Sequence, residues 1–141
     1  MATSVTSVQG RIGAPAATVY GILRDYRTHH PRILPKNAFV GIDVVEGGLG
    51  AGTVMDVRMR SPRGEQVLRL TATEPVPGRV LVESAPDGTV TRFTVEPAGA
   101  ATCLVTIETT WPETRFFRNL MARSVYRKEL RLLDEYAAIL R

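Results

Sequence analysis

The chain has 141 residues, of which 44% are hydrophobic and 23% charged, and its 18 basic and 14 acidic side chains give a formal charge of +4. These values are typical of one globular domain spanning residues 1–141, and they exclude disordered, collagen-like and fibrous proteins. No segment offers the roughly 18 consecutive apolar residues of a membrane span, and the basic excess is too modest to predict a nucleic-acid partner.

The numbers of cysteine and histidine residues limit the metal sites that the chain could form and indicate the redox state of its compartment. Cys103 is the one cysteine, so an internal disulfide is excluded, and the two histidines, His29 and His30, are adjacent. Such a set is too small for a structural zinc site of four ligands. The N-terminus lacks a basic stretch followed by an apolar run. We therefore expect no metal, no cofactor and a reducing, cytoplasmic location.

The first quarter of the chain predicts one strand and two short helices. Apolar residues among Ser, Thr and Gln favour a strand that ends at Ile12. Pro15 is tolerated at a first helical position, so a short helix is predicted to about Arg24. Pro31 interrupts the segment 26–34, which leaves room only for a short or broken second helix.

From residue 37 onward the hydrophobic period changes to two, which predicts half-buried strands. Gly- and Pro-containing turns divide this region into six of them. The alternation places Met55 and Met59 on one face of their strand, and Phe93 and Trp111 on the inward faces of theirs. The predicted strands are 37–45, 53–60, 65–74, 79–84, 89–96 and 102–111.

The chain contains neither Gly nor Pro after Pro112, which predicts one long C-terminal helix. Placing successive residues 100° apart gives two faces. Arg123, Arg127 and Arg131 form a ladder that we expect in solvent. The predicted buried stripe consists of Phe117, Met121, Val125, Leu132, Tyr136 and Ile139.

Three segments in this order resemble a known superfamily: Ala-Pro-Ala-Ala-Thr-Val-Tyr at 14–20, the link at 25–35, and Glu-Gly-Gly-Leu-Gly-Ala-Gly-Thr at 46–53. They are similar to the START-related, helix-grip (SRPBCC) proteins, among them the polyketide cyclase/dehydrase-like group. The resemblance implies an α+β fold in which a curved, seven-stranded antiparallel sheet, in the order β-α-α-β6-α, wraps around a long C-terminal helix. It also implies an apolar cavity that binds lipids, hormones, isoprenoids or polyketides.

Residues expected on the inner surfaces are candidates for lining such a cavity. Methionine and aromatic side chains adapt to flat or irregular apolar ligands. A dry core built from the same side chains fits the pattern equally well. The candidates are Tyr26, His29, Met55, Met59, Phe93, Trp111, Phe117, Met121 and Val125.

Polar candidates carry weaker signals. His29 and His30 could act as general bases near neutral pH, but the sequence identifies no partner for them. Arg118 and Glu129 lie near the apolar stripe, yet an unpaired buried charge is costly, so we expect both to reach water. The glycine-rich segment 47–52 connects two strands, which favours a flexible hairpin over a phosphate site.

The sequence is compatible with three functions. The first is binding of a small hydrophobic ligand, such as a lipid, isoprenoid or polyketide, by a monomer or homodimer. The second is a polyketide aromatase/cyclase- or dehydratase-like enzyme that uses the same cavity, with no catalytic residue assigned. The third is an adaptor that places the arginine ladder on RNA or an acidic protein.

Overall fold

The computed structural model describes residues 3–112 and 116–140, the stretch 116–120 by its backbone alone. The elements follow the predicted order, with a 3₁₀ helix in place of the short second helix. They are β1 Ser4–Ile12, α1 Ala16–Arg24, the 3₁₀ helix His30–Ile33, β2 Phe39–Glu46, β3 Val54–Ser61, β4 Gly64–Val76, β5 Val80–Ser84, β6 Val90–Pro97, β7 Cys103–Trp111 and α2 Phe116–Ile139.

Within the described residues, seven strands form one antiparallel sheet in the order β1-β7-β6-β5-β4-β3-β2. Consecutive strands from β2 to β7 are neighbours, as short turns require, and α1 with the 3₁₀ helix connects the two edge strands. The predicted α+β, helix-grip architecture is confirmed. One boundary differs, because β4 runs through Pro75 to Val76, where a register shift after Thr73 accommodates the proline.

The predicted faces of the strands are confirmed by burial. Met55 and Val57 of β3 are buried, as are Phe93 and Val95 of β6, while the exposed Arg60 is on the opposite side of its strand. One cluster joins these side chains to the apolar face of α1. The concave side of the sheet therefore carries the core.

The buried face of α2 differs from the predicted stripe. Met121 is 65% exposed and Ile139 is 76% exposed, so the prediction is wrong at these two positions. The helix instead buries Leu130, Leu133 and Ala137, whose centre lies about 140° around the helix from that of the predicted stripe. Arg123, Arg127 and Arg131 are exposed, as the ladder predicted.

A close approach between α2 and β1 fixes this orientation. A Cβ atom added at Gly10 would lie only 3.2 Å from Cδ1 of Leu130, so the helix packs directly over the glycine of the strand. Gly13 at the end of β1 donates its backbone N–H to Oδ1 of Asp134 at 2.9 Å, which anchors the same helix further along. None of the described helices is both long and apolar enough to cross a bilayer.

Candidate functional site

A buried polar cluster lies where the sheet faces the helical elements, and its first pair is Tyr26 with Glu83. The Tyr26 side chain is fully buried, and its hydroxyl donates to Oε2 of Glu83 on β5 at 2.8 Å. Burial, followed by the charge of Glu83, raises the pKa of Tyr26 far above its usual range. The phenol therefore stays protonated and remains a hydrogen-bond donor.

His30 packs against this pair. Its ring stacks on Tyr26 with centroids 5.1 Å apart and meets Phe93 edge-on at 5.7 Å. Nδ1 lies 2.6 Å from the carbonyl oxygen of Leu23, and because a carbonyl only accepts, Nδ1 carries the hydrogen. Burial raises the pKa of Glu83, against the opposing effects of His30 and of the Tyr26 hydrogen bond.

Glu129 of α2 contributes a second buried carboxyl. It is only 3% exposed, and no described residue forms a hydrogen bond or ion pair with its carboxyl group. Burial, and then the charge of Glu83, raises its pKa from 4.5 to about 8. Glu129 therefore holds its proton at neutral pH, and the expectation that it reaches water is wrong.

The two carboxyl oxygens of Glu129 are not completely enclosed by protein atoms. Every fully enclosed side-chain oxygen or nitrogen of the described residues has a hydrogen-bond partner. The carboxyl oxygens of Glu129 have none, so they must keep a small accessible surface although the residue is almost wholly buried. A carboxyl group in this position can be reached by a small polar group through only a small part of its surface.

Tyr126, one turn before Glu129, continues the cluster toward β6 and β7. Its hydroxyl is hydrogen-bonded to Oγ1 of Thr109, which lies 2.8 Å from Oγ1 of Thr91. Burial raises the pKa of Tyr126 to about 12, and the charge of Glu129 adds to this effect against the Thr109 hydrogen bond. Tyr126 and Thr91 are half-buried, so the sheet and the helix share this polar chain at the border of the core.

Known proteins of similar structure identify the fold. No protein-family model and no curated protein sequence matches the chain. Among solved structures, the KanY protein is 27% identical with a TM-score of 0.84, covering 98% of this chain and 99% of that one. A START superfamily protein from Mycobacterium smegmatis is 14% identical with a TM-score of 0.80, covering 97% and 99%. The chain has the START-related, helix-grip fold.

A third helix-grip structure is a Thalictrum norcoclaurine synthase mutant in complex with a transition-state analogue. It is 16% identical with a TM-score of 0.71, and the match covers 97% of this chain and 95% of that one. At this identity the likeness shows the fold alone. It establishes that the sheet and the long helix are arranged alike in the two proteins.

The helix-grip structure brings some of the predicted lining residues together. Tyr26, Met55 and Phe93 belong to one buried cluster, and Met59 packs against it while partly exposed. Val125 is half-buried on α2. Four of these side chains lie on β3, β6 and α2, and Tyr26 lies in the link between α1 and the 3₁₀ helix.

The other predicted lining residues lie apart from that cluster. Trp111 is half-buried and donates its Nε1–H to Oγ1 of Thr6 at 3.0 Å. His29 is also half-buried, with Nδ1 2.8 Å from the hydroxyl of Tyr136. Met121 faces solvent. Phe117, predicted to line the cavity, and Arg118, expected to reach water, have side chains outside the part of the chain whose side chains the structure describes.

Sequence reasoning missed Glu83. The sequence did contain an indication of its burial. Leu81 and Glu83 are two positions apart in β5 and therefore share one face of the strand, and Leu81 is fully buried. An acidic residue that shares a face with a core leucine is a candidate for a buried functional group. Among the residues that the structure describes, no group of three His, Cys, Asp or Glu side chains could hold a metal ion.

The exposed arginines form a separate surface on α2. With Ser124 and Lys128 they line an open depression of about 500 Å³. Nζ of Lys128 lies 3.4 Å from Oδ1 of Asn37 at its border. This basic surface is on the solvent side of the helix, away from the buried carboxyl groups.

Proposed function

We propose that the protein, as one domain, binds a small hydrophobic ligand between the concave face of the sheet and α2. The lipid, isoprenoid and polyketide classes fit the apolar side chains that surround this space. The unpartnered carboxyl of Glu129 carries the proposal, because a buried polar group without a partner is costly unless something satisfies it. A bound ligand supplies that partner.

The lining supports an apolar occupant. Met55, Phe93 and Tyr26 offer adaptable or flat apolar surfaces, and the polar groups among them are few and convergent, as is typical of small-molecule sites. The location that we propose is the reducing cytoplasm, since Cys103, the one cysteine of the sequence, cannot form an internal disulfide.

Binding can be tested with the neutral, environment-sensitive dye Nile red. We expect its fluorescence to rise in the wild-type protein, and the Glu129→Phe variant, whose ring enters the space beside the carboxyl, should bind it at least about tenfold more weakly. Glu135→Phe places the same ring on the exposed side of α2 and should bind as the wild type does. Circular dichroism checks that both variants fold.

The proposal would be overturned if neither Nile red nor any member of a panel of apolar compounds bound or raised the melting temperature of the wild-type protein. Equal dye binding by the two phenylalanine variants would place the dye outside the interior. Either result removes the internal site.

The buried acid pair favours a second candidate function, an aromatase/cyclase- or dehydratase-like enzyme acting on a poly-β-keto chain. Protonated Glu129 would donate its proton to a ketone oxygen as the enol carbon of the same chain attacks that carbonyl, and the enol hydroxyl would return its proton to the Glu129 carboxylate. Loss of the new hydroxyl group together with a proton from the neighbouring carbon would then release water and form a C=C bond. Tyr26 and Glu129 are both buried, whereas the half-buried His29 is hydrogen-bonded to Tyr136.

Turnover can be tested by incubating the protein with a β-keto thioester and following the loss of water by mass spectrometry. We expect Glu129→Gln to slow an authentic reaction by about 100-fold or more, and Glu135→Gln to leave it unchanged. A reaction that is insensitive to Glu129→Gln, or no reaction at all, would contradict the enzyme candidate and leave the binding function in place.

A further inference from the structure

The hydrogen-bonding groups of the interior are almost all paired with one another. Tyr26 donates to Glu83, and the Nδ1–H of His30 donates to the carbonyl of Leu23. Tyr126 is bonded to Thr109. Within the described part of the chain, the carboxyl of Glu129 is the member of this cluster that has no partner, although it is 97% buried. Glu129 is therefore the side chain of this cluster whose polar group is left wholly unpaired by the described residues.

The charged and titratable groups around Glu129 decide which kind of contact it offers. Glu83 faces it from the sheet, Tyr126 is on its own helix, and Tyr26 and His30 lie beside Glu83. No described arginine or lysine pairs with it. An isolated carboxylate next to a second acid in an apolar interior takes up a proton, because burial and like charge both disfavour ionisation.

A neutral carboxyl has an O–H group to donate. We propose that the ligand carries a carbonyl oxygen, as in a ketone, and that this oxygen accepts a hydrogen bond from the protonated carboxyl of Glu129. The inference deepens the proposed function and rests on it. A buried, neutral carboxylic acid is a known type of donor to a ligand oxygen.

An amine ligand fits these observations less well. Its ammonium group would have to shed water and ionise Glu129, so two charges would be created inside an apolar space. A ketone needs neither step. It also satisfies the leftover donor without leaving a polar group of its own unpaired.

Three naphthalene derivatives of similar shape separate these cases: acetylnaphthalene, isopropylnaphthalene and naphthylethylamine. Their affinities are measured by displacement of Nile red at about pH 6 and about pH 9.5, on either side of the Glu129 titration. At the lower pH we expect the wild-type protein to bind the ketone about tenfold more tightly than the hydrocarbon, which is the effect of one good hydrogen bond. At the higher pH the preference should disappear.

Two variants at the same position identify the donor. Glu129→Gln keeps an N–H donor that does not titrate, so its preference for the ketone should persist at both pH values. Glu129→Leu has no donor and should bind ketone and hydrocarbon alike. Glu135→Gln, on the exposed side of α2, should behave as the wild type does.

The hydrocarbon distinguishes failure of this inference from failure of the proposed function. If it displaces the dye but the ketone binds no better, the site exists and the inference is wrong. Tighter binding of the amine, strengthening as the pH rises toward 9.5 or so, would show that the acid pair holds a cation and would also overturn the inference. If none of the three compounds binds to the wild-type protein, the proposed function itself fails.

Discussion

The wild-type protein should lose stability steadily as the pH rises from 4.5 to about 8, and the Glu129→Gln variant should lack the part of this loss that Glu129 causes. Below pH 4.5 the side chain is protonated in both the folded and the unfolded protein, so it contributes no difference. Above that pH the unfolded chain releases the proton while the folded protein retains it. Each pH unit then lowers the free energy of unfolding by up to about 1.4 kcal/mol.

Urea denaturation at a series of pH values measures this effect directly. The difference between wild type and Glu129→Gln isolates the one group, because the other titrating side chains are common to both proteins. Glu83 should leave a slope of the same sign in the variant, since burial also raises its pKa. Glu135→Gln serves as the control and should follow the wild type. Parallel curves for the wild type and Glu129→Gln would show that Glu129 is ionised and hydrated in the folded protein.

The sequence was sufficient for the order and faces of the strands. Alternation such as that of Met55 and Val57 follows from the geometry of a half-buried strand, in which one face meets the core and the other meets water. Turn residues then limit each strand. These are local signals, so they could be predicted without knowledge of the partner surface.

Which face of α2 is buried could not be predicted from the sequence of the helix alone. Val125 and Tyr126 are adjacent, as are Leu132 and Leu133, so two different stripes are both apolar. Packing on β1 selects between them, because Gly10 leaves room for the side chain of Leu130. A periodicity argument cannot distinguish two such stripes when the deciding residue is more than a hundred positions away.

The buried acids were also hidden from sequence reasoning. Glutamate is rarely buried, and transfer of its charge from water is unfavourable, so Glu129 was expected in solvent. The folded protein avoids this cost by keeping the carboxyl protonated, because burial, and then the charge of the nearby Glu83, raises its pKa. Only the tertiary structure brings the helix and β5 together.

The glycine-rich loop between β2 and β3, predicted as a flexible hairpin, is tied to the end of α1. Gly50 donates its N–H to the carbonyl of Arg24 at 2.8 Å, and the N–H of Tyr26 donates to the carbonyl of Gly48 at 2.9 Å. Glu74 of β4 accepts from the N–H of Ala51 and from the hydroxyl of Tyr20. The loop thus joins the sheet to the first helix.

Replacing Gly50 with alanine should therefore destabilise the protein strongly, by about 3 kcal/mol. Gly50 has a φ of +60°, which L-residues adopt only with strain. A Cβ atom there would also collide with the carboxylate of Glu74 and with Nη2 of Arg24. Burial raises the pKa of Glu74, but hydrogen bonds from Arg24, Ala51 and Tyr20 outweigh it and lower the value overall, so moving this carboxylate breaks several favourable contacts.

Gly52 is the matched control, because its φ is +90° but an added Cβ would meet nothing within 4 Å. Gly52→Ala should cost only the backbone strain, about 1 kcal/mol. Combining each substitution with Glu74→Ala completes the test. The carboxylate also holds the Arg24 guanidinium in place, so without it Arg24 can move aside and the cost of Gly50→Ala should approach that of Gly52→Ala. If both alanine variants lose equal stability while Glu74 is present, then Glu74 moves aside freely and does not hold the loop. The extra cost at Gly50 thus measures how firmly the carboxylate ties the loop to α1.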